Sequence, residues 1–479
     1  MHSNCGLSPC ILPFNRRLLG SCLLAGTFLC YASPALAAET SRLSDEPIPL
    51  QTEGFPERPQ PIVELGENPF LGTGFIGPGF TTPTGAQWQP LFIVYGEFRS
   101  ALQYFESGQD DGHFAEWANR LDLFGNLYLT PTERFNIGFR PLDENGEFSG
   151  YRFDDNSNDD DFVNQINGMI NTLFFEGDFG EIFPNLDPDD TRNLDYGFAV
   201  GRQPLLLQDG VLINDEVDSI GVTRTSLFLF GSSAFRITGL FGWGEVDRGN
   251  NIEDSSAWLG GISTSGDWDK HTLDVDALYS WSDADTGDQL NVGASLIRRF
   301  GHLNATLSVN GSVVTVEPDV APPAGRNTAV DDGVLFLGQF SMTPPYTHDL
   351  VYLNTFLGVE NFRSIARSPA TGGPLGRVGI LFASVGLGRY GAPLSNDADS
   401  STGAAVGYQK FFNGGRQQLV AEVGGRVRYD DQPGDGAAAG LRYQHALGQH
   451  VFLTGSSFVG YFEERDVRYG LRSEITVRF

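Results

Sequence analysis

Arginines and carboxylates share single faces of alternating segments along much of this chain. In "FIVYGEFRSALQY" the polar set is Tyr95, Glu97, Arg99 and Gln103, and in "ANRLDLFGNLYL" it is Arg120, Asp122, Asn126 and Tyr128. "RQQLVAEVGGRVRY" groups Gln418, Glu422, Arg426 and Arg428, and the terminal "RYGLRSEITVRF" groups Arg468, Arg472, Glu474 and Arg478. Arg236, Arg299 and Arg442 fall on equivalent faces. The chemistry open to such a set is electrostatic. Guanidinium groups attract and orient anions, while interleaved acids pair with them and set their spacing. The candidate functional residues, read as lining a wet interior, are therefore Arg99, Arg120, Arg236, Arg299, Glu422, Arg426, Arg442, Arg472 and Glu474. Structural ion pairs along a wet wall are the competing reading of the same residues.

Covalent and metal chemistry have less to work with. Beyond residue 37 the histidines are His113, His271, His302, His348, His445 and His450, and none has a spaced partner that would complete a catalytic set. No enzyme activity, cofactor or resident metal is expected. "FDDNSNDDD" (153–161) has the Asp/Asn spacing of a calcium loop but lacks its glycine and terminal glutamate. A net charge of −29 argues against nucleic acid as a partner.

The elements that position these charges are strands. Opposite each polar set lies an apolar one, such as Phe92, Val94, Phe98, Leu102 and Tyr104, or Leu419, Ala421, Val423, Val427 and Tyr429. Tight turns at "TPTE", "GSSA", "GHLN", "NGGR" and "LGQH" alternate with long polar connections at 143–161, 246–256 and 317–332. Short turns at one end and long loops at the other are the pattern of an outer-membrane barrel. An arginine at mid-bilayer on the lipid side of such a wall costs about 2–4 kcal/mol, so the arginine faces must look inward.

Strands are expected near 91–105, 117–129, 133–142, 163–177, 194–204, 217–230, 234–245, 257–266, 270–282, 288–300, 303–316, 333–342, 349–360, 402–412, 416–430, 437–447, 451–462 and 467–479. An even strand count with both ends in the periplasm requires 361–401 to be one long outer connection, folded into the mouth or lumen. "GRVGILFASVGLGRYG" inside it could otherwise be a further strand. The expected fold is thus all-β: a transmembrane, antiparallel, up-and-down barrel of about 18 strands (range about 16–20).

The chain divides into 1–37, a signal peptide by its Arg16-Arg17 start, apolar run and "ALA" site; 38–90, an irregular Pro/Gly-rich segment; and 91–479, the barrel. The signal holds two of the 31 cations and none of the 60 acids, so the mature charge becomes −31. All four cysteines fall within it, at positions 5, 10, 22 and 30.

"YGFAVGRQPLLLQDGVLINDEVDSIGVTRTSLFLF" (196–230) resembles the strand–loop–strand of alginate-export-like outer-membrane porins, through Gly201, Arg202, Gln203, Asp209 and Gly210. The last strand, to Phe479, resembles the assembly signal of outer-membrane barrels. The resemblance implies an 18-strand barrel with an arginine-lined path for an acidic polysaccharide. Arg202 stands in phase with Tyr196, Phe198 and Val200 on the lipid face, so a bulge or a strand end must accommodate it. The expected function is an outer-membrane channel for small or oligomeric, anionic solutes. A polysaccharide exporter and a structural or adhesive barrel are the alternatives. Expected partners are outer-membrane lipid and the barrel-assembly machinery, with periplasmic export partners added by the exporter reading.

Overall fold

Period-two alternation over 10–16 residues gives long, tilted strands, and strands of that length must pair on both edges to satisfy their backbone in lipid. The structure, a computed structural model, describes residues 60–66, 78–108, 112–154, 161–189, 191–323, 326–430, 432–463 and 466–479. The signal peptide, much of 38–90 and most of the calcium-like stretch lie outside the described residues. Residues 57–428 and 433–479 form the unit that holds the barrel.

Eighteen wall strands follow one another in chain order, each antiparallel to the next. They are β1 Leu91–Glu106, β2 His113–Tyr128, β3 Arg134–Phe139, β4 Ile170–Asp178, β5 Tyr196–Leu207 and β6 Ile213–Leu227. The middle third is β7 Ala234–Gly244, β8 Ala257–Trp268, β9 His271–Ser282, β10 Asp288–Phe300, β11 Leu303–Val316 and β12 Gly333–Met342. The last are β13 Leu350–Phe362, β14 Ser401–Phe412, β15 Gln417–Arg428, β16 Gly436–Leu447, β17 Val451–Phe462 and β18 Arg468–Arg478. The wall closes where β18 pairs with β1, from Tyr469 opposite Glu106 to Arg478 opposite Glu97. Below that point β1 runs on past the end of β18. Val63–Leu65 pairs with Val94–Phe92 there and covers the edge that would otherwise be open.

Two stretches differ from the sequence reading. Residues 143–161 are not one outer loop, because Glu147–Asp154 pairs with β2 and prolongs the third wall strand. The break between the two pieces, 140–146, bulges inward, and Gly146 packs against Pro369. The second difference is the tip joining β5 and β6. Val211, Leu212 and Ile213 are almost fully buried, and a Cβ on Gly293 of β10 would strike Leu212 and Gln208. This tip folds into the barrel rather than standing above it.

The long connection, 363–400, enters from the same end and contains no wall strand. "GRVGILFASVGLGRYG" is therefore coil and short 3₁₀ turns inside the barrel, as parity requires. Ala366 and Arg367 pair in parallel with Ile213 and Asn214 at the inward tip. Leu375, Val378, Leu381, Phe382 and Leu394 are buried to within 1% of completely, in one cluster with Leu212, Ile213, Val217 and Leu278. The apolar core of the molecule thus sits inside the lumen. The outer face shows Leu102, Trp117, Val423, Leu441 and Leu471 instead.

Truncation of Leu381 to alanine should cost about 2–5 kcal/mol of local packing. That loss falls on the inserted chain and not on the wall. Limited proteolysis of the folded protein should then cut 375–394 faster, while the heat-modifiable gel migration of the barrel is unchanged. Equal cleavage in both proteins would mean that this core does not hold the insert.

Candidate functional site

Glu422 sits at mid-height on β15 and points inward. Only 2% of it is exposed. Its carboxylate accepts hydrogen bonds from the backbone N–H groups of Ile380 (3.0 Å) and Leu381 (2.8 Å) and from the Tyr352 hydroxyl on β13. A buried carboxylate is stable only with such donors, and here two of them belong to the inserted chain. The insert lies so close that a side chain on Gly379 would collide with the carboxylate.

The same pattern recurs around the wall. Arg99 pairs with Glu474 (2.7 Å) and its Nη2 donates to the carbonyl of Val385 at 3.0 Å. Arg120 holds Asp122 (2.8 Å) and donates to the carbonyl of Gly386 at 3.2 Å. Gln103 donates to Leu387 O, and Glu116 accepts from the backbone N–H of Arg389. Arg426 donates to the carbonyls of Ser395 (2.7 Å) and Asp397 (3.3 Å). Arg472 pairs with Glu474 and donates to Gln103 Oε1 at 3.0 Å. Of the nine candidates, Arg99, Arg120, Glu422 and Arg426 therefore tie the insert to the wall directly, and Arg472 and Glu474 brace Arg99.

The other three are placed differently. Arg442 faces the space beneath the insert and has no hydrogen-bonded carboxylate among the described residues. Arg236 is exposed on a separate inner recess of about 590 Å³ between β4 and β9. Arg299 is at the lower strand end, where its Nε donates to Gly301 O at 2.8 Å, and it lines none of the four recesses described.

Sequence reasoning missed several inward charges. Arg140, in the inward bulge, pairs with Asp122 (2.8 Å) and Glu216 (3.3 Å). Arg363 and Arg367 are buried within the insert itself, where Arg363 pairs with Asp399 (2.5 Å) and Arg367 donates to Gly210 O and Gly372 O. They lie outside regular strands, so alternation could not flag them. Arg202 keeps its outward phase. It is at the top of the wall, where β6 parts from β7, and Asp218 (2.9 Å) and Glu245 (2.8 Å) neutralise it.

Beneath the insert two adjacent recesses of about 820 and 500 Å³ share Glu97 and Arg478 in their linings, and together they are called the lower chamber. Eight arginines and three carboxylates line it, among them Arg99, Arg120, Arg140, Arg416, Arg442 and Arg472. Tyr95, Phe124 and Tyr128 supply an aromatic side. Among the described residues no group of three or more His, Cys, Asp or Glu could hold a metal ion.

No family model matches the chain, and no curated protein does. Solved structures do. The outer membrane protein OpdK from Pseudomonas aeruginosa superposes with a TM-score of 0.53 at 10% identity, over 81% of this chain and 98% of that one. A BenF-like porin from Pseudomonas fluorescens Pf-5 gives 0.52 at 10%, with the same coverage. OpdK solved with vanillate gives 0.51 at 11%, again over 81% and 98%. The fold is that of outer-membrane porins. These likenesses show the fold and give no support to the alginate-export family suggested by 196–230.

At the outer end, Asp247 lies in a small hairpin, Val246–Asp247 with Glu253–Asp254. Its backbone N–H donates to Asp215 Oδ2 at 2.8 Å. Burial, with Glu253, Glu216 and Glu245 nearby, pushes its carboxyl up to about 6, against a contact with Asp215 that works the other way. A raised acid is favoured neutral in the fold. The hairpin is therefore held most firmly below pH of about 4 and loses that stability as pH rises to about 6. Hydrogen exchange of 245–256 at pH 4, 5 and 7 should show this, and Asp247→Asn should flatten it. A wild-type hairpin equally protected across that range would contradict the assignment.

Proposed function

We propose that the chain is a passive outer-membrane channel for small solutes, with a preference for anions imposed by the lower chamber. The single observation behind this reading is the surplus of arginine there: eight line the chamber, six of them pair with Glu97, Asp122, Glu176, Glu216 or Glu474, and Arg416 and Arg442 are left over. Arg416 and Arg442 matter most, since neither has a hydrogen-bonded carboxylate among the described residues. The arginines bound to Glu474, Asp122 and the insert carbonyls are already engaged and act mainly as scaffold.

Export of an acidic polysaccharide is supported less, because a polymer would have to thread past chain that is packed against the wall. That same packing favours a second reading, a structural barrel with little or no conductance. Planar-bilayer recording separates the two. The channel reading expects discrete conductance steps and a reversal potential of anionic sign under a salt gradient. Neutralising Arg416 and Arg442 together should lower the anion-to-cation ratio about two- to fivefold, the size of a contact worth ~1 kcal/mol in a wet lumen. Cation preference in the wild type would sink the anion assignment, and absence of conductance would leave the structural barrel.

A further inference from the structure

The inward tip between β5 and β6 is backbone-strained. Gln208 (φ 50°) and Asp209 (φ 56°) are both left-handed, and Gly210 follows at φ 81°. Two consecutive non-glycine residues in that region are costly and persist only where their surroundings hold them. What holds Gln208 is Asp276 on β9, whose Oδ2 accepts from Gln208 Nε2 at 2.7 Å.

The surroundings of that contact are incomplete in a specific way. Asp276 is 2% exposed, Asn310 on β11 0% and Gln208 9%. Yet Asp276 Oδ1, Gln208 Oε1 and both polar atoms of Asn310 have no hydrogen-bond partner. Asp276, Gly293 and Asn310 stand directly opposite one another across β9, β10 and β11. Gly293 leaves the middle of that row without a side chain, and the tip takes the space. A Cβ there would meet Asn310 Oδ1 at 2.6 Å and Gln208 Cγ and Leu212 Cδ1 at 2.7 Å, so the tip packs directly on the glycine, with Asn310 on one side of Gln208 and Asp276, its hydrogen-bond acceptor, on the other. The electrostatic neighbours of Asp276 are Asp274, which repels, and Arg236, which attracts, and the Ser263 hydroxyl hydrogen-bonds the carboxylate beside Gln208. Among the described residues no ion pair reaches its carboxylate.

A carboxylate this deep needs a counter-charge, and oxygens with no donor need a partner that accepts lone pairs. One carboxylate and two amide oxygens that lack donors meet both needs for a hard cation, with water completing its shell. We propose that Asp276, Gln208 and Asn310 form a cation site over Gly293 that latches the strained tip against the wall. The tip pairs with Ala366 and Arg367, so the ion also steadies the start of the insert.

The test uses the full chain, folded in detergent, with calcium or sodium as the probe. Calcium binding is counted by equilibrium dialysis, and thermal transitions are compared in calcium, sodium and choline chloride at one ionic strength. Acidic outer loops add a background common to all variants, so the difference from Asp276→Asn is what counts. The wild type should bind one more calcium than Asp276→Asn, or show a sodium-over-choline rise in its transition that the variant lacks. Asn310→Asp adds a second carboxylate and should tighten binding tenfold or more. The proposal is overturned if neither cation distinguishes wild type from Asp276→Asn, or if Asn310→Asp lowers the transition without gaining cation dependence. A proton or trapped water would then satisfy these oxygens.

Discussion

An eighteen-strand wall encloses more space than its own side chains can fill. The rest of this structure follows from that excess. The wall is satisfied by its ladder and by lipid on its apolar face, but the lumen has to hold either water or more protein. Here it holds both. The insert 363–400 and the β5–β6 tip fill the middle with an apolar cluster, and the charged inner faces meet that cluster from all sides.

The charges acquire their roles from this arrangement. An insert without regular structure brings unpaired backbone amides and carbonyls into the barrel, and each needs a partner. Wall carboxylates take the amides, as Glu422 does for Ile380 and Leu381, and wall arginines take the carbonyls, as Arg99, Arg120 and Arg426 do. The interleaving of both signs along one face is what a coil-like filling demands. The arginines left over gather beneath the insert, in the chamber where a solute would meet them.

The wall was legible in the sequence because period-two alternation and turn residues report strand after strand. β10, β11 and β12 match their expected bounds residue for residue, and the even count required 361–401 to be one connection. The filling was much less legible. A chain packed inside a barrel has no period, so Arg363 and Arg367 gave no sign of their burial. One signal was present. "LLLQDGVLI" is apolar on both sides of its turn, where a strand leaving lipid should alternate. In "EFSGYRF" only Tyr151 and Phe153 alternate with Gly150 and Arg152, and the acids around them made 143–161 look like loop. Arg202 fell in the lipid phase for a real reason, since the strand end places it beside two carboxylates. Of the candidate site, the inward face was readable from strand phase, but which arginines would be engaged by the insert depended on tertiary contacts, two of them more than 250 residues apart in sequence, Arg99 with Val385 and Arg120 with Gly386.

That the insert is latched by wall charges is the claim on which the chamber, its arginines and the proposed selectivity all rest. Amide hydrogen exchange at Ile380 and Leu381, in protein reconstituted into vesicles, tests it most directly. With both amides donating to Glu422, they should exchange as slowly as wall-strand amides, and Glu422→Ala should release them. Exchange at the rate of free peptide in the wild type would contradict the account.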